Sequence, residues 1–113
     1  MKFMVQFFEL FGKGDIEMDR TLQDIRNEID QIDFSILDLL RTRQDLVISA
    51  ARFKVRREGD NGVIAPERIR DMMADRRKEA ERLGLDVTFV DEVCRVVIDH
   101  MIGLEMVEWR KDV

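Results

Sequence analysis

A hydrophobic stripe that contains charged residues constrains this chain more than any other feature. Between residues 22 and 54 apolar side chains recur every three or four positions, which is the spacing of one face of an α-helix. Arg43 and Lys54 occupy positions of that stripe, and a second stripe places Glu105 between Met101 and Trp109. Burying an unpaired charge costs several kcal/mol, so each of these charges must meet an opposite charge. The pattern predicts a polar pocket inside a helical bundle.

The composition favours a single all-α domain. The chain has 113 residues, of which 45% are hydrophobic, with one proline and no tyrosine. Nineteen Lys and Arg residues against 24 Asp and Glu residues give a net charge of −5, which argues against nucleic acid or an anionic membrane surface as the partner. No stretch approaches the ~20 apolar residues of a membrane span. Any anionic ligand must therefore be bound by a few cationic side chains at one site, since the net charge of the chain would repel it.

The single cysteine, Cys94, cannot form an internal disulfide. This fits a reducing compartment, so we expect a cytoplasmic protein and interpret Cys94 as a small buried hydrophobe. His100 is interpreted as a surface or interface histidine because no partner residue lies at a spacing typical of a catalytic triad or a metal site. No phosphate-binding loop, zinc-protease motif or paired-cysteine motif occurs, and no metal site is predicted.

Three helices are predicted. The first begins at Thr21, which can form a capping box with Asp24, and runs to about residue 57. After a loop at residues 58–62, the second begins with Pro66 in its first turn and stops at Gly84. The third runs from about residue 89 to residue 110, after a capping box at residues 88–91. The inward face of the second helix is predicted to comprise Ile69, Met72, Met73, Ala80 and Leu83.

The N-terminus is predicted to lie outside the helical domain. We divide the chain into an extra segment over residues 1–18 and a helical domain over residues 19–113. Lys13-Gly14-Asp15 can be encoded by a sequence that contains the ribosome-binding consensus, and Met18 follows at a suitable spacing. Residues 1–17 are therefore interpreted as an over-extended start.

The length of the first helix predicts a dimer. A helix over residues 21–57 is roughly 55 Å long, about twice the diameter of a compact domain of this size. Its own chain cannot cover it, so we expect two long helices to pack antiparallel in a homodimer. Arg43 and Lys54 are separated by roughly 16 Å of helical rise, which their long side chains can bridge to reach one ligand. Arg26 lies a further ~25 Å away and would reach a site only from the other subunit.

Two simpler interpretations stay open at this point. Arg43 and Lys54 could be buried partners of Asp33 or Asp45, and Glu105 could be a structural partner of either cation. The chain could also be a non-enzymatic dimerisation module in which the hydrophobic stripes of two copies pack against each other. That module would tolerate apolar residues at positions 43, 54 and 105.

Several short motifs carry a resemblance to a known family. The chain resembles the all-helical chorismate mutases, within them the branch that includes isochorismate-pyruvate lyase, from residue 22 to about residue 110. The motifs are IRNEIDQID at residues 25–33, LLRTR at 39–43, RFK at 52–54, APER at 65–68, GLD at 84–86 and Glu105 ahead of Trp109-Arg110. Their order and spacing together are specific, although each motif alone is weak.

The resemblance implies an intertwined helical homodimer with two composite active sites and no cofactor. The substrate would be a small dianion, chorismate or isochorismate. By position, Arg26 would be contributed by the other subunit, and Arg43 and Arg68 would bind the two carboxylates. Lys54 and Glu105 would flank the ether oxygen of the enolpyruvyl group.

The residue types suit this chemistry. Forked guanidinium groups hold two carboxylates in one geometry. A pericyclic reaction needs no nucleophile, so catalysis reduces to holding a compact conformer and stabilising charge at the breaking C–O bond. Lys54 can do this as an ammonium, and Glu105 only as a neutral acid that donates a hydrogen bond. Burial would raise the pKa of Glu105 and Lys54 would lower it, and the sequence leaves open which dominates.

Two positions favour different activities within this family. Typical mutases of this family carry a glutamate where this chain has Ile69, whereas the lyase branch has an apolar residue there. That branch tends to carry glutamine where this chain has Glu105, and other mutases use glutamate. We therefore predict a chorismate mutase first and an isochorismate-pyruvate lyase as the close alternative. A mutase acting on the 4-amino analogue of chorismate is a third candidate.

Overall fold

The computed structural model describes residues 20–54 and 65–111, and these form three α-helices. Helix α1 comprises Leu22–Ala50, a short 3₁₀ turn follows at Ala51–Phe53, α2 comprises Pro66–Leu83 and α3 comprises Val87–Arg110. No strand occurs in these two ranges. The predicted all-α class, with three helices of which the first is the longest, is confirmed. The segment predicted over residues 1–18 and the loop at 58–62 lie outside the described residues, and the domain division stays a prediction.

Helix α1 begins with the predicted capping box. The amide of Thr21 donates to the Asp24 carboxylate at 3.1 Å, and the amide of Asp24 donates to the Thr21 hydroxyl at 3.1 Å. The first of these bonds holds the pKa of Asp24 below its usual value. No residue of α1 is buried within the chain. Its exposed large apolar side chains are Leu22, Ile25, Ile29, Phe34, Ile36, Leu37, Leu39 and Leu46.

The first helix ends earlier than predicted. The α-helix stops at Ala50, and Lys54 has extended backbone angles, φ −76° and ψ 140°. The amide of Lys54 donates to the carbonyl of Ala51 at 3.3 Å, which is the tighter bonding of a 3₁₀ turn. The prediction that α1 continues to residue 57 with Lys54 on its stripe is therefore wrong. Apolar spacing alone cannot detect where the hydrogen bonding changes from four-residue to three-residue steps.

Helix α2 has the predicted ends. Pro66 lies in its first turn, and Gly84 at its end has a positive φ of 74°, a conformation that favours glycine. Met72, Met73 and Ala80 are buried as predicted, and Ile69 is half-buried. Leu83 is exposed, contrary to the prediction, because it lies in the last turn and lines an open groove with Leu85 and Val90 instead of packing into the core.

Helix α3 begins two residues before the predicted start. Asp86 is the capping residue, and its carboxylate accepts a hydrogen bond from the amide of Phe89 at 3.1 Å. The predicted capping box at residues 88–91 is wrong because Asp91 pairs with Arg77 of α2 at 2.8 and 3.0 Å. This ion pair joins the two helices beside their connecting turn.

Packing divides the chain into two compact units, residues 1–43 and residues 44–113. The second unit contains the end of α1, the 3₁₀ turn, α2 and α3. A core cluster joins α2 to α3, in which Met72, Met73 and Ile98 are surrounded by half-buried Ile69, Cys94 and Ile102. Cys94 forms no disulfide and is half-buried instead of fully buried. None of the described helices is both long enough and apolar enough to cross a membrane.

Candidate active site

The structure brings two of the predicted site residues into contact. The Nζ of Lys54 lies 3.4 Å from Oε1 of Glu105. Glu105 is on the inward face of α3, one turn after buried Met101 and one turn before buried Trp109. Lys54 reaches it from the extended residue that ends the 3₁₀ turn. Lys54 and Glu105, the charged residues that interrupt two separate hydrophobic stripes in the sequence, are therefore ion-pair partners.

The pair is unevenly buried. The side chain of Glu105 is 7% exposed and that of Lys54 is 24% exposed. The contact is an ion pair without hydrogen-bond geometry, because the buried Oε1 of Glu105 has no hydrogen-bond partner in the described part of the chain. Burial raises the pKa of the Glu105 carboxyl, and the attraction of the Lys54 ammonium opposes this rise without cancelling it. Burial is therefore the larger of the two effects on the pKa of Glu105.

The pair can act as two donors towards one anionic oxygen. A carboxyl that keeps its proton has an O–H to donate, and an ammonium has three N–H groups. An ionised Glu105 would have acceptor oxygens only, and these would repel an anionic ligand. Because burial favours the neutral acid, the geometry suits a ligand oxygen on which negative charge develops.

The three arginines of the predicted site lie on α1 and α2. Arg26 is exposed and Arg43 is half-buried, both on α1 in the unit of residues 1–43. Arg68 is exposed in the first turn of α2, directly before half-buried Ile69. The described contacts give Lys54 one ion-pair partner, Glu105, so the alternative of pairing with Asp33 or Asp45 is not borne out for Lys54.

The other candidate features of the chain do not involve the Lys54–Glu105 pair. His100 is exposed, as expected for a surface residue. Among the described residues, no group of three or more His, Cys, Asp or Glu side chains is close enough to hold a metal ion. Two open grooves of about 430 and 350 Å³ flank the α2–α3 pair, and neither is lined by Lys54 or Glu105.

The sequence reasoning missed one neighbour of the pair. Ala51, in the 3₁₀ turn, is buried against Trp109 and half-buried Met106. The sequence analysis did not single out Ala51 because it assumed a regular helix through residue 57. The available signal was Trp109, which follows Glu105 by one helical turn and therefore had to pack against whichever segment brings Lys54 to Glu105.

Comparison with known proteins gives a consistent set of relatives. Residues 25–106 match a family model described as chorismate mutase type II. The chain is 38% identical over 90 residues to the isochorismate pyruvate lyase of Pseudomonas aeruginosa, which covers 80% of this chain and 86% of that protein. It is 36% identical over 87 residues to the 4-amino-4-deoxychorismate mutase of Streptomyces venezuelae, covering 74% of this chain and 80% of that protein.

A longer relative matches over part of its length. The chain is 39% identical over 77 residues to the T-protein of Enterobacter agglomerans, and the match covers 68% of this chain but 20% of that protein. The matched range of the family model includes Arg26, Arg43, Lys54, Arg68 and Glu105.

Proposed function

This chain belongs to the chorismate mutase type II family, and on that basis we propose that it catalyses the rearrangement of chorismate to prephenate without a cofactor. The predicted family and an enzyme acting on a chorismate-type substrate are confirmed by the family match and the relatives. The observation that carries the proposal is the buried Glu105 carboxyl, with its raised pKa, beside the Lys54 ammonium at 3.4 Å.

The proposed chemistry follows from that pair. The rearrangement breaks the ether C–O bond while a C–C bond forms in the same substrate molecule, and no group is transferred to the protein. Negative charge grows on the ether oxygen in the transition state. Lys54 compensates this charge as an ammonium, and protonated Glu105 donates a hydrogen bond to the same oxygen. Both donors are fixed in place before the substrate arrives, so little reorganisation is needed.

We propose that the arginines hold the substrate's carboxylates. Arg43 and Arg68 bind one carboxylate each, and Arg26 is supplied by a second copy of the chain. Two observations support a homodimer with composite sites. Within the described residues the apolar stripe of α1 is uncovered, and a second α1 would bury it. The resemblance to enzymes with composite active sites supports the same arrangement.

The same site is compatible with a second reaction of related chemistry. An isochorismate-pyruvate lyase also breaks an ether C–O bond of the enolpyruvyl group and yields salicylate and pyruvate. Ile69 favours this candidate, because its side chain packs against buried Met72 and Met73 and offers no polar contact to a ring hydroxyl. The relative from Pseudomonas aeruginosa that bears this name is similar over most of both chains. The 4-amino analogue of chorismate is a third substrate candidate, supported by the Streptomyces relative.

The deciding experiment assays the purified protein with chorismate and with isochorismate in parallel. Prephenate formation from chorismate with the higher kcat/KM supports the mutase. Salicylate formation from isochorismate with the higher kcat/KM would replace it with the lyase. No product from either substrate, in a folded and dimeric preparation, would favour the non-enzymatic dimerisation module. The lone Cys94 supports a reducing, cytoplasmic location for any of these activities.

A further inference from the structure

We propose that the contact between Ala51 and Trp109 sets the separation of Lys54 from Glu105, so that both are positioning residues for the donor pair. Its catalytic consequence rests on the proposed function. One residue of this contact is near Lys54 in the sequence, and the other is near Glu105. Ala51 precedes Lys54 by three residues, and Trp109 follows Glu105 by one turn of α3.

Both residues of this contact are buried. Ala51 is 3% exposed and Trp109 is 8% exposed, and half-buried Met106 packs against them. The next two residues of the 3₁₀ turn, Arg52 and Phe53, are exposed. Ala51 is therefore the residue through which this turn is anchored to α3.

The anchor is coupled to Lys54 through a short and stiff stretch of backbone. The carbonyl of Ala51 accepts the hydrogen bond from the amide of Lys54 at 3.3 Å, so both residues belong to the same turn. A 3₁₀ turn rises by about 2 Å per residue, so the backbone between Ala51 and Lys54 is short and cannot stretch. A displacement of Ala51 away from α3 therefore moves the backbone of Lys54 away from Glu105.

The size of Ala51 determines how closely the turn can approach α3. The side chain of Ala51 is a single methyl group, and it shares a core cluster with the buried Trp109 side chain. We expect a larger side chain here to crowd the buried Trp109 side chain and to push the turn outwards. The backbone position of Lys54 would then change without any change in the catalytic side chains themselves.

The test uses Ala51→Val, with Ala80→Val as the matched control. Ala80 is 2% exposed, as buried as Ala51, but it lies in α2 and does not contact the pair. The first readout is the titration of Glu105 in the free protein, followed by the ¹³C shift of its carboxyl carbon. We expect the pKa of Glu105 to rise further in Ala51→Val, because the Lys54 ammonium that opposes the effect of burial has moved away. We expect no such change in Ala80→Val.

The second readout is the division of the kinetic effect between kcat and KM. A displacement of about 1 Å at the reacting centre can lower turnover by up to ~100-fold. We expect kcat of Ala51→Val to fall by about 10- to 100-fold with KM changed by less than about threefold, since the carboxylate-binding arginines are untouched. In the double variant Ala51→Val with Trp109→Phe, the smaller ring makes room for the added methyl groups. Both the titration and kcat should return towards the wild-type values.

The outcome separates this inference from the proposed function. The titration needs no substrate, so an inactive wild-type protein would contradict the proposed function and leave the positioning test intact. If Ala51→Val does not fold, Ala51→Ser adds a single atom and should shift the titration in the same direction by less. A Glu105 titration identical in wild type and the folded position-51 variant would overturn the proposal. Equal shifts in the Ala51 and Ala80 variants would overturn it as well.

Discussion

The Nζ of Lys54 lies 3.4 Å from Oε1 of Glu105, and the carboxyl side of this ion pair is the more deeply buried, with 7% of its side chain exposed against 24% for lysine. The desolvation penalty therefore falls mainly on Glu105. Its pKa is raised although a cation lies beside it. A protonated Glu105 beside the Lys54 ammonium would offer two neighbouring hydrogen-bond donors, which is the arrangement that the proposed chemistry requires.

Protein stability should report this raised pKa. Below the ordinary glutamate pKa of 4.5, Glu105 is protonated in both the folded and the unfolded chain. As the pH rises above that value the unfolded chain ionises first, so the contribution of Glu105 to the free energy of unfolding is lost until the pH passes its folded pKa. We expect Glu105→Gln, which cannot ionise, to lose less stability than wild type across this window. Urea unfolding at a series of pH values measures the difference.

The matched control for this experiment is Glu108→Gln, three residues along the same helix, where Glu108 pairs with Lys111 at 3.1 Å. It controls for the loss of a glutamate charge from this helix, so the difference between the two variants reports on the buried position of Glu105. Equal slopes for Glu105→Gln and wild type would mean that Glu105 does not carry the raised pKa.

Removing the ammonium of the pair should affect turnover more than structure. We expect Lys54→Ala to lower kcat by about 10²- to 10³-fold, because Lys54 stabilises charge that develops mainly in the transition state. Circular dichroism and sedimentation should match wild type. Lys111→Ala removes a more exposed lysine and should leave kcat within about twofold. Near-normal turnover in Lys54→Ala would remove Lys54 from the mechanism.

Composite active sites predict complementation between two inactive variants. Arg26→Ala and Arg43→Ala should each be nearly inactive as homodimers. When the two proteins exchange subunits, one site of each heterodimer receives both intact arginines and the other receives neither. Activity should therefore recover in part, in proportion to the fraction of heterodimer. Heterodimer formation by native mass spectrometry without any recovery would show that Arg26 acts within its own chain.

Two glycine substitutions should change stability in opposite directions. Gly103 lies in the interior of α3, and an added Cβ would meet nothing within 4 Å, so Gly103→Ala should stabilise the fold by about 0.5–1 kcal/mol. Gly84 has a φ of 74°, so Gly84→Ala should destabilise it by about 1–2 kcal/mol although space is open there too. Thermal unfolding of both variants measures the signs. A destabilising Gly103→Ala would indicate that another chain packs closely against this position.

The local features of this fold were the ones predictable from sequence. The Thr21–Asp24 box and the Pro66 and Gly84 boundaries depend on residues within one turn of each other, and the structure contains all of them. The end of α1 was not predictable in this way, because it depends on where Ala51 is buried against a residue 58 positions later. The third helix was predicted to begin with a capping box at residues 88–91, whereas Asp86 forms the cap and Asp91 binds Arg77.

The residue types of the candidate site could be predicted from the sequence, but the direction of the Glu105 pKa shift could not. Lys54 and Glu105 were identified as misplaced charges, and their contact follows from the fold. The direction of the Glu105 pKa needed the depth of burial and the distance to Lys54, which no spacing rule supplies. The roles of Arg26, Arg43 and Arg68 stay predictions that the complementation and substitution experiments test.

The most direct measurement of the central claim is kcat/KM against pH for wild type and Glu105→Gln, over a range in which both stay folded. If protonated Glu105 is the donor to the ether oxygen, wild-type activity falls as the pH rises through the folded pKa of Glu105. The glutamine amide donates at every pH, so the variant should lose this alkaline limb and keep much of the rate at low pH. Parallel profiles for the two proteins would contradict the claim, since the titrating donor would then be another group.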